Sequence, residues 1–385
     1  MKIVLLGTAW PYRGGLASFN ERLIREFKHQ GHDAEIITFT LQYPGFLFPG
    51  KTQYASSSAP QDITITRKVN AINPFNWMST GKTISRLKPD ILIIKYWMPF
   101  FAPCFAAIAK QVKKNSHTKV ICIADNILPH EKKFYDRLFT ALFIKRVDAF
   151  VVMSRQVLND LETFNTSKIR AINPHPLFDN FGERVSKAEA CRRLNINPEK
   201  NYILFFGFIR NYKGLDLLLK AFADKRLEQF ELIIAGEYYT DEKPYMDIIR
   251  QTGTEKRIHQ FTHFIADEDV KYYFCAADLV VQPYKHATQS GVTQIAYHFE
   301  VPMLVTNVGG LAEMVPHQKT GYVVEPLPEQ IADAIADFYL HNRHASFVAH
   351  IREEKKRFGW DRMANTILKL RDDLMHNTGR IEKND

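Results

Sequence analysis

The sequence predicts an α/β protein built as two doubly wound domains, each a parallel sheet covered by helices on both faces. Three observations carry that prediction. Short, continuous apolar runs recur along the chain, the pattern of strands buried on both sides. Segments of helical period alternate with them, as in a series of βαβ units. The series fades once near the middle and then resumes, and 385 residues exceed one ordinary core.

The elements follow in order. Residues 2–7 form a first strand, and Met1-Lys2-Ile3-Val4-Leu5-Leu6-Gly7 lacks the long apolar region and cleavage site of a signal peptide. A helix is expected at 16–30 and a strand at 34–39. The stretch 41–62, with Tyr43, Phe46 and Phe48, is either a substrate lid or a packed Ω-loop. Strands at 91–94, 119–123 and 149–153 alternate with helices at 102–114, 131–145 and 154–162. The turn Tyr96-Trp97-Met98-Pro99-Phe100-Phe101-Ala102-Pro103 is unusually apolar. With Lys110, Lys113 and Lys114 beyond it, it reads either as a buried helix start or as a contact with membrane or lipid. Around Asn173-Pro174-His175-Pro176 the pattern becomes irregular, and 177–199 reads as a hinge carrying one short helix. A second series places strands at 202–206, 230–235, 278–282, 303–305 and 321–324. Helices are expected at 214–224, 243–252, 267–276 and 290–300, and the tail from 328 to 377 is mostly helical. The expected domains are 1–176 and 177–358, facing across a cleft, with 359–385 a last helix that packs back on the first domain before a tail.

Composition narrows the function classes. With 45% hydrophobic and 24% charged residues, and only 18 Gly and 18 Pro, the chain is globular rather than disordered. A net charge of +9 favours anionic partners. No one-signed stripe interleaved with aromatics marks a nucleic-acid footprint, and Arg352-Glu353-Glu354-Lys355-Lys356-Arg357 mixes signs, so no nucleic-acid partner is expected. The four cysteines form no close pair and the 14 histidines no ligand spacing. Neither a metal site nor a redox motif is therefore expected, and a cytoplasmic setting is. No apolar run reaches the length of a membrane span.

Four segments could carry chemistry. The strand 202–206 breaks at Gly207, and Arg210 and Lys213 follow in the loop before a helix. Two cations at a strand-to-helix turn, beside unpaired amides and a positive helix end, suit a diphosphate; alternatively they form an ordinary basic loop. Gly14 and Gly15 precede the first helix, where they let a ligand approach backbone amides, without the tight glycine triplet of a dinucleotide fingerprint. Ser290 is a good N-cap for a helix opening at Gly291-Val292, whose amides at 291–293 would face a ligand. After the strand 303–305, Val308-Gly309-Gly310-Leu311-Ala312-Glu313 places a carboxylate at a helix start. Glu313 there would accept bonds from ribose or sugar hydroxyls, or stabilise the helix end.

Taken together, Gly207…Arg210…Lys213-Gly214 with Leu217-Leu218, Ile233-Ile234-Ala235-Gly236, Gly291 through Pro302, Val308 to Glu313 and Thr320-Gly321-Tyr322-Val323-Val324 resemble the family 4 retaining glycosyltransferases of the GT-B fold. The N-terminal half matches more loosely through Arg13-Gly14-Gly15, Gly31-His32-Asp33 and Val151-Val152-Met153-Ser154. The resemblance implies two Rossmann-like domains, the first for an acceptor and the second for a nucleotide sugar. It implies metal-independent transfer of a sugar, with retained configuration, from a nucleoside diphosphate sugar to a glycan or lipid-linked acceptor, as in polysaccharide biosynthesis. The donor is then a co-substrate and no cofactor is needed. Arg210 and Lys213 would hold the diphosphate. Gly14, Gly15, Ser290, Gly291, Val292, Gln294 and Glu313 would lie around the donor. The implied place is the cytoplasm, with peripheral contact at the inner face of the cell membrane left open.

The sequence departs from that family at two places. Ala287 and Ile295 stand where relatives carry a pair of glutamates, and Gln289, Gln294 or Glu313 would have to compensate. Asp125 stands where relatives often have a histidine near the reaction centre; it would accept a proton or cap the following loop. His130 is a candidate on the acceptor side. The missing glutamates keep two rivals open: a non-catalytic nucleotide-sugar-binding protein, and a sugar-nucleotide epimerase or hydrolase on the same fold.

Overall fold

The computed structural model describes residues 1–44, 53–55, 58–128, 134–287 and 290–381. The chain divides into two compact units. One comprises Met1–Pro174 with Trp360–Asp385, and the other His175–Gly359.

The first unit holds a seven-stranded parallel sheet. Its strands are β1 (Lys2–Leu6), β2 (Asp33–Leu41), β3 (Thr64–Asn70), β4 (Ile91–Tyr96), β5 (Lys119–Ala124), β6 (Ala149–Val152) and β7 (Ile169–Ile172), in the order β3-β2-β1-β4-β5-β6-β7. β1 and β4–β6 are apolar nearly throughout because helices cover both their faces. One face packs against the helices Pro74–Leu87, Ala102–Val112 and Asp136–Ile144 through Ile84, Phe105, Ile108 and Phe143. The other packs against the helix Gly15–His29 through Phe19, Leu23 and Phe27. Trp360, Met363 and Ile367 of the last helix, Trp360–Ile381, complete that second core.

The second unit repeats the design with six parallel strands. These are β8 (Tyr202–Phe206), β9 (Glu231–Ala235), β10 (Ile258–Phe261), β11 (Leu279–Gln282), β12 (Met303–Thr306) and β13 (Gly321–Val324), ordered β10-β9-β8-β11-β12-β13. In both sheets the order reverses beside the first strand, between β1 and β4 and between β8 and β11. Loops leaving the carboxyl ends of such neighbours diverge to opposite faces and open a crevice, the usual place for a ligand in this architecture. The stretch expected to be a hinge contributes the helix Lys187–Leu194 and Phe178 to the second unit's core, and Leu177 donates its amide to the Phe358 carbonyl at 3.0 Å.

The apolar turn at 96–103 is mostly a buried helix start: Tyr96, Phe101 and Ala102 are inaccessible. Tyr43, at the start of the long loop, packs on Phe101 and accepts a bond from the Trp97 indole at 3.0 Å. Phe46 and Phe48 lie outside the described residues. Among the described residues, no helix is long and apolar enough to cross a membrane.

Candidate functional site

The second unit's crevice is built by two loops. The loop after β8 carries Gly207 to Gly214, and the loop after β11 carries Pro283 to Ser290. They are tied to each other: the Lys285 amide donates to the Tyr212 carbonyl at 2.7 Å, and the Lys285 ammonium pairs with Asp216 at 2.8 Å. Gly214 allows this approach. Its φ is +68°, and a Cβ there would sit 1.9 Å from the Pro283 carbonyl oxygen.

Arg210 and Lys213 stand in this crevice without a counter-ion; among the described residues neither has a carboxylate partner, whereas Lys285 beside them does. The Arg210 guanidinium lies 4.9 Å from the Tyr239 ring centre. The Lys213 ammonium lies 5.4 Å from the Tyr284 ring and folds against Gly207, where a Cβ would approach it to 2.8 Å. Gly207, at φ +99°, thus leaves the ammonium its place. Burial pushes the Lys213 ammonium below the ordinary lysine value; Tyr212 opposes the shift and Arg210 adds to it. Two neighbouring, part-buried cations without carboxylate partners among the described residues precede the helix Leu215–Phe222, an arrangement that suits an anion, while Asp216 in the first turn of that helix is held by Lys285.

Ser290 caps the helix Gly291–His298 as expected, its Oγ accepting from the Val292 amide at 3.2 Å and meeting the Tyr284 hydroxyl at 3.2 Å. The Val292 amide is therefore engaged rather than free. Its side chain faces Gly207, 3.7 Å from where a Cβ would be. Gly291 abuts Phe178, whose ring would lie 2.6 Å from a Cβ. Gln294 is fully buried, and among the described residues neither end of its amide finds a partner. Gln282 accepts from the Thr293 hydroxyl at 3.1 Å, while its own amide nitrogen has no partner among the described residues. Ala287 and Ile295 lie in the apolar core, so no carboxylate occupies those places. Glu313 is exposed in the short helix Leu311–Met314.

In the first unit, Gly14 and Gly15 are exposed at the start of their helix, with Gly14 at φ +102° and open space on its side-chain face. Asp125 follows β5 and pairs with Lys95 of β4 at 2.8 Å. Lys95 is 1% exposed and its ammonium lies 3.4 Å from the Phe19 ring centre. Burial pushes the Asp125 carboxyl up and the Lys95 ammonium down, and their attraction works against both shifts. His130 and Gln289 lie outside the described residues. The structure thus gathers Lys213, Ser290 and Val292 around Gly207 and Tyr284, with Arg210 over Tyr239 and Glu313 exposed. The contacts missed by sequence reasoning are Tyr239, Tyr284 and Lys95. A lysine inside the apolar run Ile91-Leu92-Ile93-Ile94-Lys95-Tyr96 was the available signal, since a buried ammonium requires a partner.

Two family models match in tandem: Glycosyltransferase Family 4 over residues 13–174 and Glycosyl transferases group 1 over residues 186–357. The chain belongs to the GT-B glycosyltransferases. Spore coat protein SA of Bacillus subtilis is 24% identical over 211 residues, 51% of this chain and 54% of that protein. The D-inositol 3-phosphate glycosyltransferase of Jonesia denitrificans is 27% identical over 189 residues, 46% of this chain and 43% of that one. The chain spans about half the length of these curated relatives. Among solved structures, Anabaena HepE in complex with UDP superposes with a TM-score of 0.74 at 15% identity, covering 96% of this chain and 99% of that one. That likeness establishes the two-domain α/β GT-B fold, whose second-domain crevice carries Arg210 and Lys213 here.

Proposed function

We propose that this GT-B protein transfers a sugar from a nucleoside diphosphate sugar to a glycan or lipid-linked acceptor, retaining the anomeric configuration and needing no metal. The observation that carries the reading is the pair Arg210 and Lys213, held without carboxylate partners among the described residues at the second unit's strand-order reversal. In such a transfer the bond from C1 to the diphosphate oxygen breaks and a bond from C1 to the acceptor oxygen forms. Negative charge accumulates on the leaving diphosphate, where the guanidinium and ammonium offset it. Those two side chains take the charge-neutralising role a metal would otherwise fill. Retention is what the resemblance to the family 4 retaining glycosyltransferases implies, and UDP in the HepE complex makes a uridine nucleotide the first donor base to try. Asp125, held by Lys95, would receive a sugar hydroxyl, with Gly14 and Gly15 exposed at the same end of the first sheet.

A binding-only reading also has an observation in its favour, the apolar Ala287 and Ile295 where relatives carry carboxylates. One experiment separates the two. A thermal-shift screen of UDP-, GDP- and ADP-sugars selects a donor, and product analysis with and without acceptor follows. We expect transfer, with Arg210→Ala lowering turnover about 10²–10³-fold at unchanged melting temperature. Donor binding with no product would establish the binding-only reading, and native turnover in Arg210→Ala would refute the assignment of the site.

A further inference from the structure

A long arginine side chain that awaits an anion needs something to aim it. Among the described residues Arg210 makes no ion pair and no side-chain hydrogen bond. Its guanidinium lies instead over the ring of Tyr239, 4.9 Å from the ring centre. Tyr239 belongs to the loop after β9, not to either loop already described.

Backbone pairing puts the ring there. β8 and β9 lie parallel, and their pairing carries on past the strand ends. Gly207 donates its amide to the Ala235 carbonyl at 2.8 Å, Ile209 to the Glu237 carbonyl at 2.9 Å, and Tyr239 to the Ile209 carbonyl at 2.9 Å. Gly236, at φ +141°, lets the two segments come this close, since a Cβ there would sit 2.3 Å from the Gly207 carbonyl oxygen. Arg210 is extended, with φ −137° and ψ 154°. Side chains alternate along such a segment. Ile209 turns into the core and is fully buried, so the half-buried Phe208 and Arg210 face the other way together. The Tyr239 ring meets both of them. It stacks on the Phe208 ring with centres 4.4 Å apart and planes 19° from parallel, and it carries the Arg210 guanidinium.

We infer that Tyr239 is a positioning residue, whose ring face pre-aims Arg210 for the diphosphate of a nucleotide. An anion site needs a guanidinium that is both oriented and uncommitted. A carboxylate would orient it, but would occupy its N–H donors and offset its charge. An aromatic face attracts the cation through its π-system and leaves the N–H edge and the charge for a ligand. An arginine already seated on a ring also loses less rotamer freedom when the ligand arrives. The Phe208 ring steadies Tyr239 in turn, and the backbone bonds at Ile209 fix the register of all three side chains. The inference rests on the reading of Arg210 as a diphosphate ligand, and adds the residue that sets how well that contact is made.

The test is a double-mutant cycle on the full chain, read by titration calorimetry with UDP, then GDP and ADP. Tyr239→Leu should weaken binding of the nucleoside diphosphate about fivefold, and Tyr239→Phe, which keeps the ring face, should stay within about twofold of native. In an Arg210→Ala background, Tyr239→Leu should change nothing further. A merely structural role would not give that result, because a loosened loop weakens binding in either background. Equal losses in both backgrounds would therefore overturn the inference, whether the ring props up the loop or touches the nucleotide itself. A loss in Tyr239→Phe as large as in Tyr239→Leu would overturn it too, by assigning the effect to the hydroxyl. If Arg210→Ala weakens binding and Tyr239→Leu does not, this inference alone fails. If Arg210→Ala binds as the native chain does, or none of the three nucleotides binds, the diphosphate reading fails and this inference with it.

Discussion

Lys213 is the residue on whose ionisation the proposed diphosphate site depends. Burial holds its ammonium below the ordinary lysine value of 10.5; Tyr212 opposes this and Arg210 reinforces it. Between the lowered value and 10.5 the folded, empty protein binds fewer protons than the unfolded chain, so its stability rises with pH across that window. A bound diphosphate reverses the local balance by restoring the proton. UDP affinity should therefore be greatest below the window and fall as pH climbs through it, which titration calorimetry across alkaline pH would show. Lys213→Arg should flatten that profile, because a guanidinium stays charged. Lys213→Met should weaken binding about tenfold or more even at neutral pH, the worth of one charge-assisted hydrogen bond. A flat native profile would mean that the ammonium does not touch the anion. The place of Arg210 and Lys213 in a loop before a helix was legible from sequence because it is a local pattern. Tyr239 and Tyr284, which lie under those cations, were not, because each reaches its cation across a strand pairing. Nor was the bond between Lys95 and Asp125, which joins neighbouring strands through side chains thirty residues apart in the chain.

The two loops of the second crevice behave as one element. Gly214 sits in the left-handed region at φ +68° against the Pro283 carbonyl. Gly214→Ala should cost about 1–3 kcal/mol from backbone strain, and more as the loops are driven apart. Donor binding should fall with it, since Lys213 precedes this residue. Chemical denaturation together with UDP titration would check both, and native stability with native affinity would show that the loops tolerate separation. Three strands escaped the apolar-run pattern: Thr64–Asn70, Ile169–Ile172 and Ile258–Phe261. All are edge strands in their sheets. An edge strand pairs on one side only and keeps polar residues facing water, so Thr64-Ile65-Thr66-Arg67-Lys68-Val69-Asn70 alternates where a central strand would be continuous. The turn at 96–103 shows the opposite effect. Its apolar run was equally compatible with exposure and burial, and packing under Tyr43 and Trp97 decided for burial.

At the scale of the whole chain, the last helix belongs to the first unit although it follows the second in sequence. Trp360 packs on Phe19 at 5.1 Å, and the Thr366 hydroxyl donates to the Asn173 side-chain oxygen at 3.1 Å. Ending the chain at Gly359 would expose the core faces of Phe19, Ile3 and Leu5 and remove Trp360, Met363 and Ile367. At about 2 kcal/mol for each buried large side chain, the loss approaches 6 kcal/mol as an upper figure, comparable with a domain's whole stability. We expect the truncated chain to lose the cooperative melting of the first unit while the second keeps its own. Calorimetry and limited proteolysis would report this, and an unchanged first-unit transition would refute it. The strand-helix alternation, the break near residue 175 and the cationic loop at 207–214 could all be read from the amino acids alone. Each depends on residues within a few positions of one another, whose period fixes local structure. The pairing of Lys95 with Asp125 and the edge positions of the three polar strands were settled only by the tertiary fold. They join residues distant in the chain, and no local period specifies which of them become neighbours.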